Sequence, residues 1–79
     1  MKLAFARPEK RSLTLRGHRT SVSLEPAFWA AFRDIAARRA LSLNGLASQI
    51  DAARPPDVGL ASAIRLAVLD DLSGRRDLS

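Results

Sequence analysis

The stretch Arg19-Thr20-Ser21-Val22-Ser23-Leu24-Glu25-Pro26 decides the fold that we predict for this chain. Val22 and Leu24 alternate with small polar residues, and this alternation is the period of a half-buried β-strand. Pro26 ends the strand, because proline lacks the N–H that a sheet requires and its fixed φ suits the first turn of a helix. The stretch therefore predicts a strand that leads directly into a helix.

The residues before this stretch indicate a second strand. Leu13 and Leu15 alternate with polar neighbours over residues 12–16, and Gly17-His18 follows. A turn about Gly17 would fold the two segments into a hairpin, although Gly-His is a weaker turn signal than Asn-Gly. The pattern alone leaves open whether residues 12–16 form a true strand.

Three helices are predicted after Pro26. The first runs to about Arg39, and the second begins after Ser42, a good N-cap residue, and stops before Pro55-Pro56. The third spans about residues 60–72 and is expected to end with a cap at Gly74. Trp29 lies beside the apolar stripe of the first helix, where it covers the edge of the core or meets a second chain.

The third helix is apolar over most of its circumference, which implies burial on more than one side. A chain of 79 residues without cysteine has a small core and no disulfide to reinforce it. Both observations favour a homodimer. We predict that its core contains apolar residues from β2 and all three helices, namely Val22, Leu24, Phe28, Phe32, Ile35, Leu46, Ile50, Ile64 and Val68.

The net charge of +5 lies entirely in the first nineteen residues, which hold six basic side chains and one acidic one. The other sixty residues carry seven basic and seven acidic side chains. Charge concentrated in this way favours capture of a polyanion such as nucleic acid. We therefore divide the chain into a flexible basic arm, residues 1–11, and a folded domain, residues 12–79.

The sequence offers no pattern for catalysis, metal binding or a cofactor. His18 is the single histidine, it lies at a predicted turn, and the adjacent carboxylates of Asp70 and Asp71 diverge by about 100° on a helix. No apolar run has the length of a signal-peptide core or a membrane span. We expect a cytoplasmic protein that is not an enzyme and has no cofactor, metal or membrane association.

The order of these elements resembles the ribbon-helix-helix fold of the Arc and methionine repressor group. The resemblance rests on residues 19–26, on the helix stripe of Phe28, Phe32 and residues 35–39, and on residues 41–44. Residues 10–25 look more narrowly like a bacterial subfamily that carries an added N-terminal strand. The resemblance implies an α+β, mostly helical fold with two to three helices, in which two chains intertwine and their strands form a ribbon that enters the DNA major groove.

The resemblance also implies which residues contact DNA. If Val22 and Leu24 face the core, the residues between them must face outward. The implied base contacts are Arg19, Ser21 and Ser23. The implied phosphate contacts are Lys10, Arg11, Arg16, Ser42, Leu43 and Asn44, the last three through the amide groups and positive end of the second helix.

Two functions are consistent with this reading. The first is a dimeric transcriptional repressor or other regulator that reads a specific DNA site. The second is a dimerisation or partner-binding module on the same fold, including an antitoxin-like protein, which does not read bases. Ser21 and Ser23, on the outward side of the second strand, have short side chains that reach less far toward bases, so the second function stays open.

Overall fold

The computed structural model describes residues 5–77, with side chains as far as Gly74. Its elements are two strands, β1 (Glu9–Leu15) and β2 (His18–Leu24), followed by three helices, α1 (Pro26–Arg38), α2 (Leu43–Ala53) and α3 (Leu60–Asp77). The predicted architecture of a hairpin followed by helices is confirmed.

The two strands form an antiparallel hairpin in which Glu9 lies opposite Leu24 and Leu15 lies opposite His18. The turn between them consists of Arg16 (φ 50°) and Gly17 (φ 82°). Two successive positive φ values are typical of a type I′ turn, whose twist matches that of the strands. Residues 12–16 thus contribute to a strand as far as Leu15, and the turn lies one residue earlier than the Gly-His pair suggests.

The predicted boundary of the basic arm at residue 11 is wrong. β1 begins at Glu9, because residues 9–11 pair with β2 and the Glu9 carbonyl accepts a hydrogen bond from Trp29 Nε1 at 2.8 Å. Residues 5–8 have no regular secondary structure, and residues 1–4 of the predicted arm lie outside the described residues. The charged segment is therefore partly built into the sheet.

The hairpin buries one face and exposes the other, as the alternation predicts. Leu13, Leu15, Val22 and Leu24 face the helices and are buried. The predicted position of Trp29 at the edge of the core is wrong, since its side chain is fully buried beside Phe32. The α1 stripe is thus rotated toward Trp29, whose indole N–H donates to the Glu9 carbonyl of β1.

The residues predicted for the core pack together within one chain. Phe28 and Ile50 are partly buried, and the other seven are buried. The chain's own hairpin and helices therefore cover the positions that we assigned to an interface between two chains. A core shared between two copies remains a prediction.

The predicted end of α3 at Leu72 is wrong, because the helix continues through Gly74 to Asp77. Gly74 is not a left-handed cap: among the described glycines, Gly17 has the positive φ. One face of α3, formed by Ala63, Ile64 and Val68, is buried. Leu66, Leu69 and Leu72 on the same helix are exposed.

Candidate nucleic-acid interface

The exposed side of the hairpin, which we call the outer face, is formed by six residues. They stand as three cross-strand pairs: Lys10 with Ser23, Ser12 with Ser21, and Thr14 with Arg19. All six side chains are exposed. The three predicted base-contacting residues therefore share one surface, and β1 adds three polar neighbours to it.

The outer face has short hydroxyl side chains at its centre and a long cation at each end. Serine and threonine hydroxyls donate and accept hydrogen bonds, and an arginine can make a bidentate contact with guanine. Lys10 and Arg19 belong to no ion pair among the described residues. Their charges are therefore available to a polyanion.

The start of α2 lies at the edge of the same sheet. The Asn44 side chain accepts a hydrogen bond through Oδ1 from the backbone N–H of Thr14, at 3.0 Å. Ser42 caps the helix by accepting from the Gly45 N–H at 2.9 Å. Because a Cβ at Gly45 would lie 3.0 Å from Ser42 Oγ, glycine leaves room for this cap.

The amide groups of Leu43 and Asn44 precede the first hydrogen-bonded turn of α2, so they are free for an anion at the positive end of the helix. Ser42 and Asn44 are exposed, and Leu43 is partly buried. The structure therefore brings the three predicted helix contacts to the β1 side of the outer face.

The remaining predicted phosphate contacts fall at different places. Arg16 is exposed in the hairpin turn, at one end of the outer face. Arg11 is on the opposite side of β1, where its guanidinium lies 5.2 Å from the centre of the Trp29 ring and pairs with Glu9 at 3.1 Å. Arg11 is thus separated from the outer face that carries Lys10 and Arg19.

β2 has an open backbone edge. The sheet of residues 5–77 contains two strands, so the side of β2 away from β1 has no strand beside it. The backbone groups of Arg19, Ser21 and Ser23 point to that side, because such groups alternate along an antiparallel pair. The Ser23 carbonyl accepts a long 3.5 Å hydrogen bond from Arg65 Nη2 on that side. This contact shows that the carbonyl points away from β1.

Ion pairs join the helices beneath the sheet. Arg65 binds Glu25 at 2.8 Å, and Arg38 binds Asp34 at 3.2 Å and Asp71 at 2.7 Å. Hydrogen bonds from its own backbone and from Arg65 lower the pKa of the Glu25 carboxyl. Hydrogen bonds to Asp71 and Asp34 raise the pKa of Arg38.

Residues 5–77 contain no cluster of three or more histidine, cysteine or acidic side chains that could hold a metal ion. Within the same range, no helix has both the length and the apolar character needed to cross a bilayer.

Sequence reasoning did not name Ser12 and Thr14 among the candidate DNA contacts, or the Asn44 side chain as a contact of β1. The first two follow from parity once the turn is known, because a two-residue turn fixes the cross-strand register. No sequence signal identifies a hydrogen bond between residues thirty positions apart.

Residues 8–72 match the family model of the ribbon-helix-helix domain. The chain belongs to this family, a non-enzymatic fold that is typically dimeric and generally associated with DNA-binding regulators. Comparison with curated proteins and with solved structures returned no match.

Proposed function

We propose that this protein is a homodimeric, sequence-specific DNA-binding regulator, acting in the cytoplasm as a transcriptional repressor. The observation that carries the proposal is the outer face. One polar surface lies beside the start of α2, whose amide groups can bind phosphate, and the cations at its two ends belong to no ion pair within the described part of the chain.

Pairing of β2 with β2 of a second copy supplies the dimer. Each β2 has an open edge with both donors and acceptors, and two identical edges satisfy one another when they run antiparallel. An exposed strand edge left unpaired is a template for association with another chain. The resulting sheet has four strands in the order β1, β2, β2, β1.

The width of this proposed sheet indicates which strands would face the bases and which would face the phosphates. Four strands spaced about 4.8 Å apart span about 14 Å between the outer backbones. The major groove of B-DNA is about 12 Å wide and admits two strands. The central β2 pair would therefore face base edges with Arg19, Ser21 and Ser23, and each β1 would lie over the phosphates.

Phosphate contacts follow from this arrangement. Lys10 on the outer face of β1 lies toward the groove wall, with Arg16 at the hairpin turn and the amide groups of Leu43 and Asn44 at the start of α2. Ser42 orients that helix start, whereas Arg11 faces the other side of β1, is paired with Glu9 and adds only to the general positive charge. Such contacts hold the protein on the duplex and are independent of sequence.

The test is DNA binding by fluorescence anisotropy, with sites selected from a random library. We expect affinity to fall steeply as salt rises, and Arg19→Ala to reduce the preference for the selected site by at least about tenfold, as for loss of one bidentate base contact. Arg33→Ala removes the same charge from an exposed position on α1 and is the matched control. Absence of binding to any DNA at low salt would overturn the proposal.

A second function is a dimerisation or partner-binding module on the same fold, antitoxin-like in one form. The short serines of the outer face and the exposed leucines of α3 favour it. Recovery of a stable protein complex, together with DNA affinity that does not change in Arg19→Ala, would support this function instead.

A further inference from the structure

We propose that a cleft beneath the hairpin turn binds a small organic carboxylate, and that the bound carboxylate engages Arg16 and so weakens DNA binding. The cleft, which we call the turn cleft, lies between the turn end of the hairpin, the end of α2 and the start of α3. Its volume of about 480 Å³ is within the range of small-molecule sites. The effect on DNA rests on the proposed function, whereas the binding of a carboxylate does not.

Strand register places two polar side chains on the inner side of the hairpin, at the turn cleft. His18 lies opposite Leu15, and Thr20 lies opposite Leu13. Directly opposed side chains share one side of a sheet, and both leucines are buried against the helices. The inner side of β2 therefore becomes polar toward the turn, where it forms one wall of the turn cleft.

Within residues 5–74, the side chains of Arg16, His18 and Thr20 take part in no hydrogen bond or ion pair. A guanidinium donates up to five hydrogen bonds, a hydroxyl donates one, and an imidazole ring nitrogen can donate another. The hairpin side of the turn cleft thus offers donors that this part of the chain does not use itself.

Arg54 is held in place on the helix side of the turn cleft. Its Nε donates to Asp51 at 2.8 Å, and its Nη1 donates to the Val58 carbonyl at 2.7 Å. Its third nitrogen, Nη2, takes part in no hydrogen bond or ion pair of residues 5–74. Because two bonds already fix this guanidinium, it loses little conformational freedom when Nη2 binds a ligand.

The charge of the lining favours a ligand with one negative charge. Arg16 and Arg54 each carry one positive charge, and Asp51 carries one negative charge. With His18 neutral, the lining therefore has a net charge of +1. A carboxylate balances this charge and matches the planar guanidinium groups, whereas a phosphate dianion would leave an excess negative charge near Asp51.

Two leucines of the lining indicate that the ligand also has an apolar part. Leu15 is buried, and Leu60, the first residue of α3, is partly buried. A hydrocarbon or aromatic group that rests on them removes apolar surface from water. Benzoate combines such a group with one carboxylate, and it is therefore the probe that we choose.

Arg16 connects the turn cleft to the candidate nucleic-acid interface. It is exposed in the hairpin turn at one end of the outer face, and it also lines the turn cleft. One guanidinium cannot hold a phosphate of DNA and a carboxylate beneath the turn at the same time. Two ligands that compete for one group lower each other's affinity by the same factor, so benzoate should weaken DNA binding.

The first test is an NMR titration of the full chain with sodium benzoate at constant ionic strength and without DNA. We expect saturable shifts of the amide signals of His18, Thr20 and Arg54, with a dissociation constant of about 10 mM or below for a ligand of this size. Thr20→Val keeps the side-chain shape but removes the hydroxyl, and it should raise the constant by about three- to tenfold. Thr14→Val makes the same change on the outer face and should leave the constant unchanged.

The contribution of charge is tested by Arg16→Gln, which should raise the benzoate constant by about tenfold, as for loss of a charged hydrogen bond. Arg33→Gln removes the same charge from an exposed position of α1 and is the matched control. Inorganic phosphate is the comparison ligand and should bind more weakly than benzoate. Unsaturable shifts, equal effects of Thr20→Val and Thr14→Val, or phosphate binding as tight as that of benzoate would each overturn the carboxylate site.

Fluorescence anisotropy with DNA separates this inference from the proposed function. Saturating benzoate should weaken DNA binding of the parent by at least about threefold relative to sodium chloride of equal ionic strength, and it should have no effect on Arg16→Gln. Saturable benzoate binding by a chain that binds no DNA would retain the site and refute the regulator. DNA binding that benzoate leaves unchanged would retain the regulator and refute the coupling through Arg16.

Discussion

Asn44 and Thr14 are joined by a hydrogen bond of 3.0 Å, from the backbone N–H of Thr14 on β1 to Oδ1 of Asn44 in the first turn of α2. This bond satisfies a donor on the outer edge of β1 that would otherwise need water. It also fixes the start of α2 against the hairpin. The bond therefore connects the two parts of the candidate interface.

Replacement of Asn44 should weaken this connection. We expect Asn44→Ala to lower the free energy of unfolding by about 1 kcal/mol, the net value of one intramolecular hydrogen bond. Urea denaturation at a fixed protein concentration measures the change, because the stability of a dimer depends on concentration. Exchange of the Thr14 amide hydrogen should also accelerate.

Gln49→Ala is the matched control for Asn44→Ala, since Gln49 is an exposed amide side chain on the same helix. It should change neither the unfolding free energy by more than a few tenths of a kcal/mol nor the exchange of Thr14. Equal effects of the two substitutions would show that the bond to Thr14 contributes nothing to stability.

Ala40 occupies a backbone conformation that favours glycine. Its φ is 55°, and two hydrogen bonds close the end of α1 around it, from Ala40 N–H to the Ala37 carbonyl and from Leu41 N–H to the Ala36 carbonyl. This pattern is the Schellman motif, with Ala40 at the position where glycine is usual. Ala40→Gly should therefore stabilise the protein by about 0.5 to 1 kcal/mol, as the relief of left-handed strain exceeds the added entropy of the unfolded chain.

An alanine inside α1 should respond in the opposite direction. Ala30→Gly, at an exposed helical position, should destabilise the protein by about 0.5 to 1 kcal/mol. Thermal unfolding of the two variants beside the parent gives the signs directly. A melting temperature that falls in both variants would mean that the strain at Ala40 is smaller than the entropy effect.

The sequence was sufficient to predict the secondary-structure elements whose signals lie within a few residues of them. Alternation over β2, proline at the start of α1 and serine before α2 each act within a few residues, and all three elements appear where they are expected. Parity in β2 also identified the outward position of Arg19, Ser21 and Ser23, because a strand has only two sides.

The features that the sequence did not predict depend on distant contacts. Trp29 is buried in the core beside Phe32, and its N–H is satisfied there by the Glu9 carbonyl, twenty residues away. Gly74 resembles a helix end in sequence, yet α3 continues past it. Helical periodicity likewise could not show which side of α3 would be covered and which would leave leucines in water.

The ion pair between Glu25 and Arg65 should make the free energy of unfolding depend on pH. The Glu25 carboxyl has its pKa lowered from 4.5 by its own backbone N–H and by Arg65. A lowered carboxyl pKa contributes stability above the unfolded-state value, and this contribution disappears as the pH falls through the folded-state value. Between about pH 6 and pH 3, the parent should therefore lose more stability than Glu25→Gln does.

Titration of the Glu25 carboxyl by NMR separates the effect of its backbone N–H on the pKa from the effect of Arg65. In Arg65→Ala the pKa should rise toward 4.5 but remain below it, because the backbone hydrogen bond persists. Arg38→Ala removes an arginine from a different ion pair and should leave the pKa of Glu25 in place. A pKa of Glu25 that does not respond to Arg65→Ala would show that the ion pair is not formed in solution.

Lys10 provides a measure of how many chains contact one DNA site. Each phosphate contact contributes about 0.9 to the slope of log affinity against log salt, so removal of Lys10 from both copies of a dimer should reduce the slope by about 1.8. Removal from a monomer on DNA would reduce it by about 0.9. Lys10→Ala should also weaken selected and unselected sequences by the same factor, because a phosphate contact carries no sequence information.

Arg33→Ala removes a positive charge from α1, on the side of the sheet opposite the outer face, and separates contact from net charge. If Lys10 acts only through the overall charge of the chain, both variants should reduce the salt slope equally. If Lys10 lies over a phosphate, its substitution alone should produce the larger change. An unaltered slope in Lys10→Ala would show that Lys10 on β1 makes no phosphate contact, so that the DNA contacts of the sheet would come from the central β2 pair.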